Sequence, residues 1–378
     1  MENKVDRQDK INILFLSPLP PPFYGSSISS KECLNILRSS NRYYVLNVRL
    51  NYSQSFNDLG SVSIRKVFGF FIALFNIIYY SIVYKPKLVY IMPATAGLGF
   101  VRDFTFSLIV KLLNKNILYH LRTVITNRDN NNLVKYFIFK IAFKKQKVIV
   151  LGSELIENVK DYFRMDDIYV LPNAKRMLIN HEEYNNIKNS RNNNGIIRLL
   201  FLSNMLRSKG WPKLIEVAKS LSDKGIGYYL TFAGSWPGSG EEIEYKSLIN
   251  MYNLSNYVKY VGYVDGLEKH NLLMKTDVLL FPTEYEYETF GRVIIEAMEY
   301  GIPVIASKMG TISSIVIHSK NGYLLENNTE HEIVNYIIKL QDNVLRTNMG
   351  NNARKTFISN YEISQYKKRF LEIIRKLT

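Results

Sequence analysis

Residues 282–305 read PTEYEYETFGRVIIEAMEYGIPVI. Glu284, Glu286 and Glu288 alternate with tyrosines, and Thr289, Phe290 and Gly291 follow. Val293, Ile294, Ile295, Ala297 and Met298 then recur at helical spacing, with Glu296 among them. Gly301 and Pro303 stop that helix, and Val304 and Ile305 begin a strand. The pattern predicts one helix with Glu288 at its head and Glu296 in its second turn, seven residues lying between them.

Outward from this stretch, the second half alternates strands and helices. A buried strand at 196–203 leads through Asn204, Arg207, Lys209 and Gly210 into a helix at 211–224. Strands follow at 228–233, ending at Gly234, and at 258–261. A helix at 267–275 and a strand at 278–281 deliver the chain to residue 282. After a strand at 303–306 come helices at 330–341 and 344–358 and a terminal helix at 363–377. The first half opens the same way. A strand at 11–17 runs into a proline-rich loop bearing Gly25 and Ser26, then a helix through Ile28 and Leu37. Strands at 88–92 and 117–120 flank a helix at 104–113, and the second of them ends at His120. The strand at 148–151 is followed by a helix through Ile156 and Val159, then a strand at 168–171. Repeated strand, loop, helix units predict an α/β chain with parallel sheets, whose ligands sit beyond the carboxyl ends of the strands. There is no G-x-G-x-x-G and no Walker A lysine.

A chain of 378 residues is too long for one core and predicts two domains. The polar, asparagine-rich stretch at 179–195 reads as the linker between domains at 1–178 and 196–360, and residues 361–378 stand apart as the terminal helix. The single cysteine, Cys33, excludes an internal disulfide and fits a reducing compartment. Residues 1–10 are polar and mixed in charge, and the apolar run after them is too short for a secretory signal, so a cytoplasmic protein is expected. Histidines at 120, 181, 270, 318 and 331 show no ligand spacing, so no metal site is expected. No G-x-S-x-G and no nucleic-acid signature is present.

Residues 1–180 carry 25 Lys and Arg against 12 Asp and Glu, while the remainder carries 24 against 21. A basic half suggests an anionic partner. The most apolar stretch, 67–84, reads as a crossover helix packed on the sheet or dipping into a membrane interface. Lysines at 135, 140, 144, 145 and 147 alternate with Tyr136, Phe137, Phe139 and Phe143. Such spacing suits a helix on anionic lipid and equally a solvated face over a core stripe.

Thr289, Phe290 and Gly291 are expected to present unpaired backbone N–H groups at the helix start, where phosphate binds. A carboxylate two turns in, Glu296, can accept both hydroxyls of a ribose, and Glu288 can reach a sugar across a diphosphate. Lys209, beside another helix start, makes a second anion site. A glutamate-rich helix start stabilised by its own dipole reads the same spacing without a ligand. His120 reads equally as a residue aimed at ligand and as a structural histidine.

Glu288 through Glu296 resembles the E-x7-E motif of retaining glycosyltransferases. The context agrees: Pro282-Thr283 before it, Glu296-Ala297-Met298 within it, then 301–306, Gly310 and Asn321-Gly322. The chain resembles glycosyltransferase family 4, closely in the second half and more loosely in the first, through the Gly25 loop, His120 and Pro172-Asn173. The resemblance implies the GT-B fold, with two facing Rossmann-like domains and a C-terminal helix crossing back to the first. It implies no cofactor and no metal, with a nucleotide-sugar, carrying UDP or GDP, as co-substrate. Carried onto this chain, Glu288 and His120 would contact the transferred sugar. Gly25 and Ser26 would let backbone approach the diphosphate, Lys209 and the Phe290 and Gly291 amides would hold it, Glu296 would hold the ribose, and the base would lie near Gly234 and Tyr263.

One position departs from the family pattern. Gly-Arg is usual where Ser203 and Asn204 stand, and Arg207 is the candidate replacement cation. The expected acceptor is a glycan or a polyprenyl-diphosphate-linked glycan at the anionic inner leaflet, as in surface-polysaccharide assembly, with the protein peripheral on the cytoplasmic face. A non-catalytic membrane-associated partner of the same fold and a sugar-nucleotide epimerase are the alternatives.

Overall fold

The computed structural model describes residues 10–22, 25–51, 63–125, 132–191 and 195–378. The chain divides into two compact units, one of Met1–Leu171 with Lys367–Thr378, the other of Pro172–Tyr366.

Unit 1 is built on β1 (Ile11–Ser17), β2 (Tyr43–Arg49), β3 (Leu88–Ile91), β4 (Ile117–His120), β5 (Lys147–Val150) and β6 (Ile168–Val170). Its helices are α1 (Gly25–Arg38), α2 (Ile64–Val83), α3 (Gly97–Leu112) and α4 (Leu133–Phe143). The six strands run parallel in the order β2-β1-β3-β4-β5-β6. Every residue of β3 and β4 is buried, as in a sheet covered on both faces. Right-handed crossovers place α1 on one face and α2, α3 and α4 on the other, where α3 packs between α2 and α4.

Unit 2 carries β7 (Ile197–Leu202), β8 (Tyr228–Ala233), β9 (Val258–Tyr260), β10 (Val278–Phe281), β11 (Val304–Ser307) and β12 (Gly322–Leu325). Their order is β12-β11-β10-β7-β8-β9, again all parallel. The helices are α5 (His181–Ser190), α6 (Trp211–Asp223), α7 (Ser239–Met251), α8 (Gly266–Lys275), α9 (Arg292–Glu299), α10 (Ile312–Ile315), α11 (Glu330–Lys339), α12 (Asn343–Thr356) and α13 (Ile363–Leu377). The fully buried Trp211, Leu214 and Val217 of α6 share a core with Ile333 and Ile337 of α11. From Lys367 onward α13 belongs to unit 1, where Phe370 sets its ring edge on Tyr90 at 5.9 Å and Lys87 Nζ donates to the Thr378 carbonyl at 2.9 Å.

Several sequence expectations need correction. The stretch read as a linker holds α5, started by a capping box in which Asn180 Oδ1 accepts from Glu183 N and Glu183 Oε2 from Asn180 N. Residues 192–194 of that stretch, and residues 1–9 of the leader reading, lie outside the described residues. Where a helix was expected through Ile156 and Val159, a short turn, Ser153–Ile156, runs on as irregular turns, with Lys160 N donating to Ile156 O at 2.9 Å and Phe163 N to Val159 O at 3.1 Å. The strand β2 and the helix α7 were not anticipated. The expected crossover helix is present as α2, in which Gly69, Ala73, Ile77 and Ser81 are buried and the outer face is open to solvent.

Candidate active site

In unit 2 the strand order reverses between β7 and β10: β8 and β9 extend to one side, β11 and β12 to the other. Loops leaving two such strands diverge and open a crevice at their carboxyl ends. The loop after β7 supplies Lys209, and the loop after β10 supplies Glu288. The two loops are laced together. Glu284 N donates to Ser208 O at 2.7 Å. Gly210, at φ +96°, packs so closely on Pro282 that a Cβ would sit 2.5 Å from the Pro282 carbonyl oxygen. This register brings Lys209 Nζ to 2.6 Å from Glu288 Oε2, with both side chains largely buried. The same ammonium lies 4.1 Å from the centre of the Tyr285 ring.

The other carboxylate oxygen, Glu288 Oε1, accepts the backbone N–H of Gly291 at 3.0 Å and, more loosely, that of Phe290 at 3.4 Å. The helix α9 begins at Arg292, with Gly291 as its N-cap in left-handed conformation at φ +66°. Glu288 therefore lies in the loop rather than at the head of the helix, and the amides expected to be open are covered. The reason is local: the left-handed Gly291 turns the chain back, so the carboxylate three residues upstream closes on the Phe290 and Gly291 amides. Buried Phe290, edge-on to Tyr361, and Thr289 O, which accepts from Thr311 N (3.0 Å) and Thr311 Oγ1 (2.9 Å), fix the turn. The two amides that this carboxylate closes on precede α9, whose own first-turn N–H groups begin at Arg292.

Glu296, in α9, is held by Lys269 of α8 at 3.4 Å, and Asp265 lies 3.3 Å from the same ammonium. The two carboxylates raise the Lys269 pKa against the opposing effect of burial, which is the largest single influence on it. Glu299, one turn further on, is fully buried and accepts from Ile179 N at 3.0 Å and from Lys175 Nζ, so it anchors the start of unit 2. Arg207 turns away from Lys209: it pairs with Glu244 of α7 and lies over Trp211. Asn204 is exposed. Gly234 is required by packing, since a Cβ there would meet Ser203 O at 1.7 Å, and its carbonyl accepts from Tyr260 Oη at 2.8 Å. Tyr263 is 67% exposed.

In unit 1 the reversal falls between β1 and β3. Gly25 and Ser26 open α1 after β1, and His120 ends β4, so all three occupy the carboxyl edge of the sheet. A Cβ at Gly25 would meet no described atom within 4 Å, and its φ is not left-handed, so packing does not demand glycine there. His120 is fully buried; Tyr90 Oη lies 2.6 Å from Nδ1, and Nε2 has no hydrogen-bond partner among the described residues. Burial, assisted by the charge of Arg122, drives its pKa well below 6.5, so the ring is neutral. In the tautomer in which the tyrosine hydroxyl donates to Nδ1, Nε2 carries the ring proton and is a buried donor; in the other, Nδ1–H donates to the hydroxyl and Nε2 is an acceptor.

Residues 180–356 match the family described as glycosyl transferases group 1. An uncharacterized glycosyltransferase of Methanocaldococcus jannaschii is 28% identical over 64% of this chain and 64% of its own length. N-acetyl-alpha-D-glucosaminyl L-malate synthase of Bacillus anthracis is 31% identical over 34% of each chain. The chain thus spans less than two thirds of these curated relatives. The crystal structure of Anabaena HepE in complex with UDP superposes at a TM-score of 0.73, 16% identical, over 97% of this chain and 100% of that one. The fold is GT-B. Together these matches give the GT-B fold and a likeness to glycosyl transferases group 1 over residues 180–356.

Within this GT-B chain, sequence reasoning missed Lys269 and Tyr90. Neither stands near its partner in sequence: Lys269 precedes Glu296 by 27 residues, and Tyr90 precedes His120 by 30. Each becomes a partner only through sheet order, β3 lying beside β4 and α8 leading into β10 next to α9.

Proposed function

We propose that the chain is a retaining glycosyltransferase of family 4 in which Glu288 and Glu296 are the E-x7-E pair. It moves a sugar from a uridine or guanosine diphosphate donor to a glycan or polyprenyl-diphosphate-linked glycan in surface-polysaccharide assembly. The observation that carries this reading is the Lys209–Glu288 pair seated on the Phe290 and Gly291 amides just before α9, at the switch point of unit 2. A cation, two backbone N–H groups and a displaceable carboxylate converge on one spot, which is what a diphosphate leaving group requires. The UDP in the HepE complex agrees with that donor class.

On donor binding the diphosphate takes over Lys209 and the Phe290 and Gly291 amides, and Glu288 swings to the sugar hydroxyls. Glu296, released from Lys269, accepts the ribose hydroxyls. The acceptor oxygen attacks the anomeric carbon on the face of the departing phosphate. The carbon–oxygen bond to phosphate breaks as the new glycosidic bond forms. The acceptor proton passes to a phosphate oxygen of the nucleoside diphosphate. The reading gives charge neutralisation to Lys209 and the amides rather than to a metal. In unit 1, it keeps His120 Nε2 as a donor to bound substrate and Gly25-Ser26 as a place where backbone meets an anionic substrate group. Arg207 serves the diphosphate only if it leaves Glu244.

A panel of UDP-, GDP- and ADP-sugars, read by thermal shift and by release of nucleoside diphosphate, tests the donor class. One nucleotide should stabilise the protein and its sugar should be released with the α or β configuration of the donor retained. Stabilisation by none of them, or inversion at the anomeric carbon, would overturn the proposal.

A further inference from the structure

The layer formed by α2, α3 and α4 leaves an apolar surface open that the fold does not use. Of the most apolar 18 residues of α2, 22% are buried. Phe68, Phe71, Ile72 and Phe75 lie outward, Phe71 at 59% and Phe75 at 67% exposure. Their spacing of three and four residues sets them on one stripe along a helix roughly 30 Å long. Leu98 and Val101 of α3 and Leu133, Val134 and Phe137 of α4 are exposed as well. Because these three helices follow parallel strands in the same sense, their N-terminal ends lie together at the carboxyl edge of the sheet. That is the edge that holds His120 and Gly25. Single exposed apolar residues are ordinary, but a patch running across three neighbouring helices marks an interaction surface.

The charges around it select the occupant. Neither α2 nor α4 contains an acidic residue. Arg65 and Lys66 stand at the start of α2; Lys140 lies between Phe137 and Ile141 on α4, Lys144 follows its last residue, and around them Lys111, Lys145 and Arg164 outnumber Asp161 and Asp167. The one acid of α3, Asp103, is buried against Arg102 at 2.7 Å. A second copy of this face would set cations against cations. A bilayer bearing anionic headgroups matches both the apolar strip and its basic flank. The helix α2 is long and apolar enough to cross a membrane, but it connects β2 to β3 and packs on the sheet through Gly69, Ala73, Ile77 and Ser81. It can present its outer stripe to a membrane only by lying along the surface.

We propose that unit 1 docks on an anionic lipid bilayer through the outer face of α2, α3 and α4, with α2 lying in the interfacial plane. The docking needs no donor and stands apart from the transferase reading. The full chain, without nucleotide-sugar, should float with phosphatidylcholine vesicles carrying about a third phosphatidylglycerol, and at least about tenfold less with phosphatidylcholine alone. Phe71→Glu/Phe75→Glu should weaken flotation about tenfold or more. Lys140→Glu/Lys144→Glu should weaken it on anionic vesicles and leave phosphatidylcholine binding as it was. Both pairs are exposed, and unchanged circular dichroism and melting temperature verify folding. A folded chain that ignores anionic vesicles would overturn the proposal. So would flotation indifferent to both double variants, or a dimer in solution that Phe71→Glu/Phe75→Glu converts to monomer. Loss of vesicle binding with donor turnover on a water-soluble acceptor intact would separate this surface from the transfer site.

Discussion

Lys209 Nζ and Glu288 Oε2 stand 2.6 Å apart, joining two loops separated by 79 residues in sequence. Both side chains are about nine-tenths buried, at 12% and 11% exposure. At that depth the pair holds its geometry without the screening that weakens surface ion pairs. Glu288 engages both Lys209 and the Phe290 and Gly291 amides, the groups that a diphosphate takes over under the proposed function.

That overlap makes nucleotide binding and turnover separable. Glu288→Gln removes the competing charge and leaves Lys209 and the amides for phosphate. UDP, or whichever nucleotide the panel selects, should bind the variant at least as tightly as it binds wild type, while transfer falls about a hundredfold or more. Lys209→Met should instead weaken nucleotide binding by roughly 1.5–3 kcal/mol, the loss of one charge-assisted hydrogen bond. Titration calorimetry with nucleotide alone, set beside steady-state turnover, reads both. A parallel fall in nucleotide affinity for both variants would refute the competition.

Glu296 offers a second test, because its partner lies on another helix. Glu296→Gln should weaken nucleotide binding by about 1.5–3 kcal/mol if the carboxylate accepts ribose hydroxyls. A 2′,3′-dideoxyribose analogue should bind wild type and Glu296→Gln equally. Lys269→Ala frees the carboxylate and should shift affinity less than Glu296→Gln does. An analogue that still discriminates between the two proteins would show that Glu296 acts elsewhere.

Two glycines in equivalent loops should respond differently. Gly210→Ala forces a left-handed residue to carry a Cβ 2.5 Å from Pro282 O. It should cost unit 2 about 2 kcal/mol or more and disturb the Lys209–Glu288 register. Gly25→Ala adds a Cβ with no described atom within 4 Å. Its stability should stay within about 0.5 kcal/mol of wild type while the Michaelis constant for donor or acceptor rises. Denaturant unfolding and initial-rate kinetics on the two variants decide it. An active, unperturbed Gly25→Ala protein would leave that glycine without a role.

These outcomes follow from features that were unequally legible in the sequence. The α/β alternation was plain because its punctuation is strong: Gly301 and Pro303 admit no continuing helix, and 278–281 and 304–306 are unbroken apolar runs. The helix α7 escaped because its sequence, SGEEIEYKSLINM, buries only Tyr245 and Ile249 and shows little periodicity. The linker reading failed at α5 because asparagine is both a loop residue and a good N-cap, and Asn180 acts as the cap. Glu288 and Glu296 could be picked out by spacing, but their partners could not. The closing of Glu288 on its own amides depends on the left-handed turn at Gly291, and Lys269 reaches Glu296 only after the sheet has formed.

His120 makes a prediction about pH. Burial and the Arg122 charge hold its folded pKa well below 6.5, whereas in the unfolded chain it titrates near 6.5. Below that pH the unfolded chain binds a proton at His120 that the folded chain refuses. Stability is therefore complete above 6.5 and falls as the pH drops, by about 1.4 kcal/mol per pH unit from this group until the folded pKa is reached. Buried Asp103 acts in the opposite direction at lower pH, since burial raises its carboxyl above 3.8 and the folded state then takes the proton first. The histidine contribution is read by difference. Melting or denaturant curves for wild type and His120→Gln between pH 7.5 and 5.5 should converge as the pH falls, because only wild type loses stability through this ring. Tyr90→Phe, which keeps the ring buried but removes the hydroxyl at Nδ1, should retain the wild-type slope. Equal slopes for wild type and His120→Gln would mean that the folded imidazole takes up its proton as readily as the unfolded one, and its lowered pKa would fall with that result.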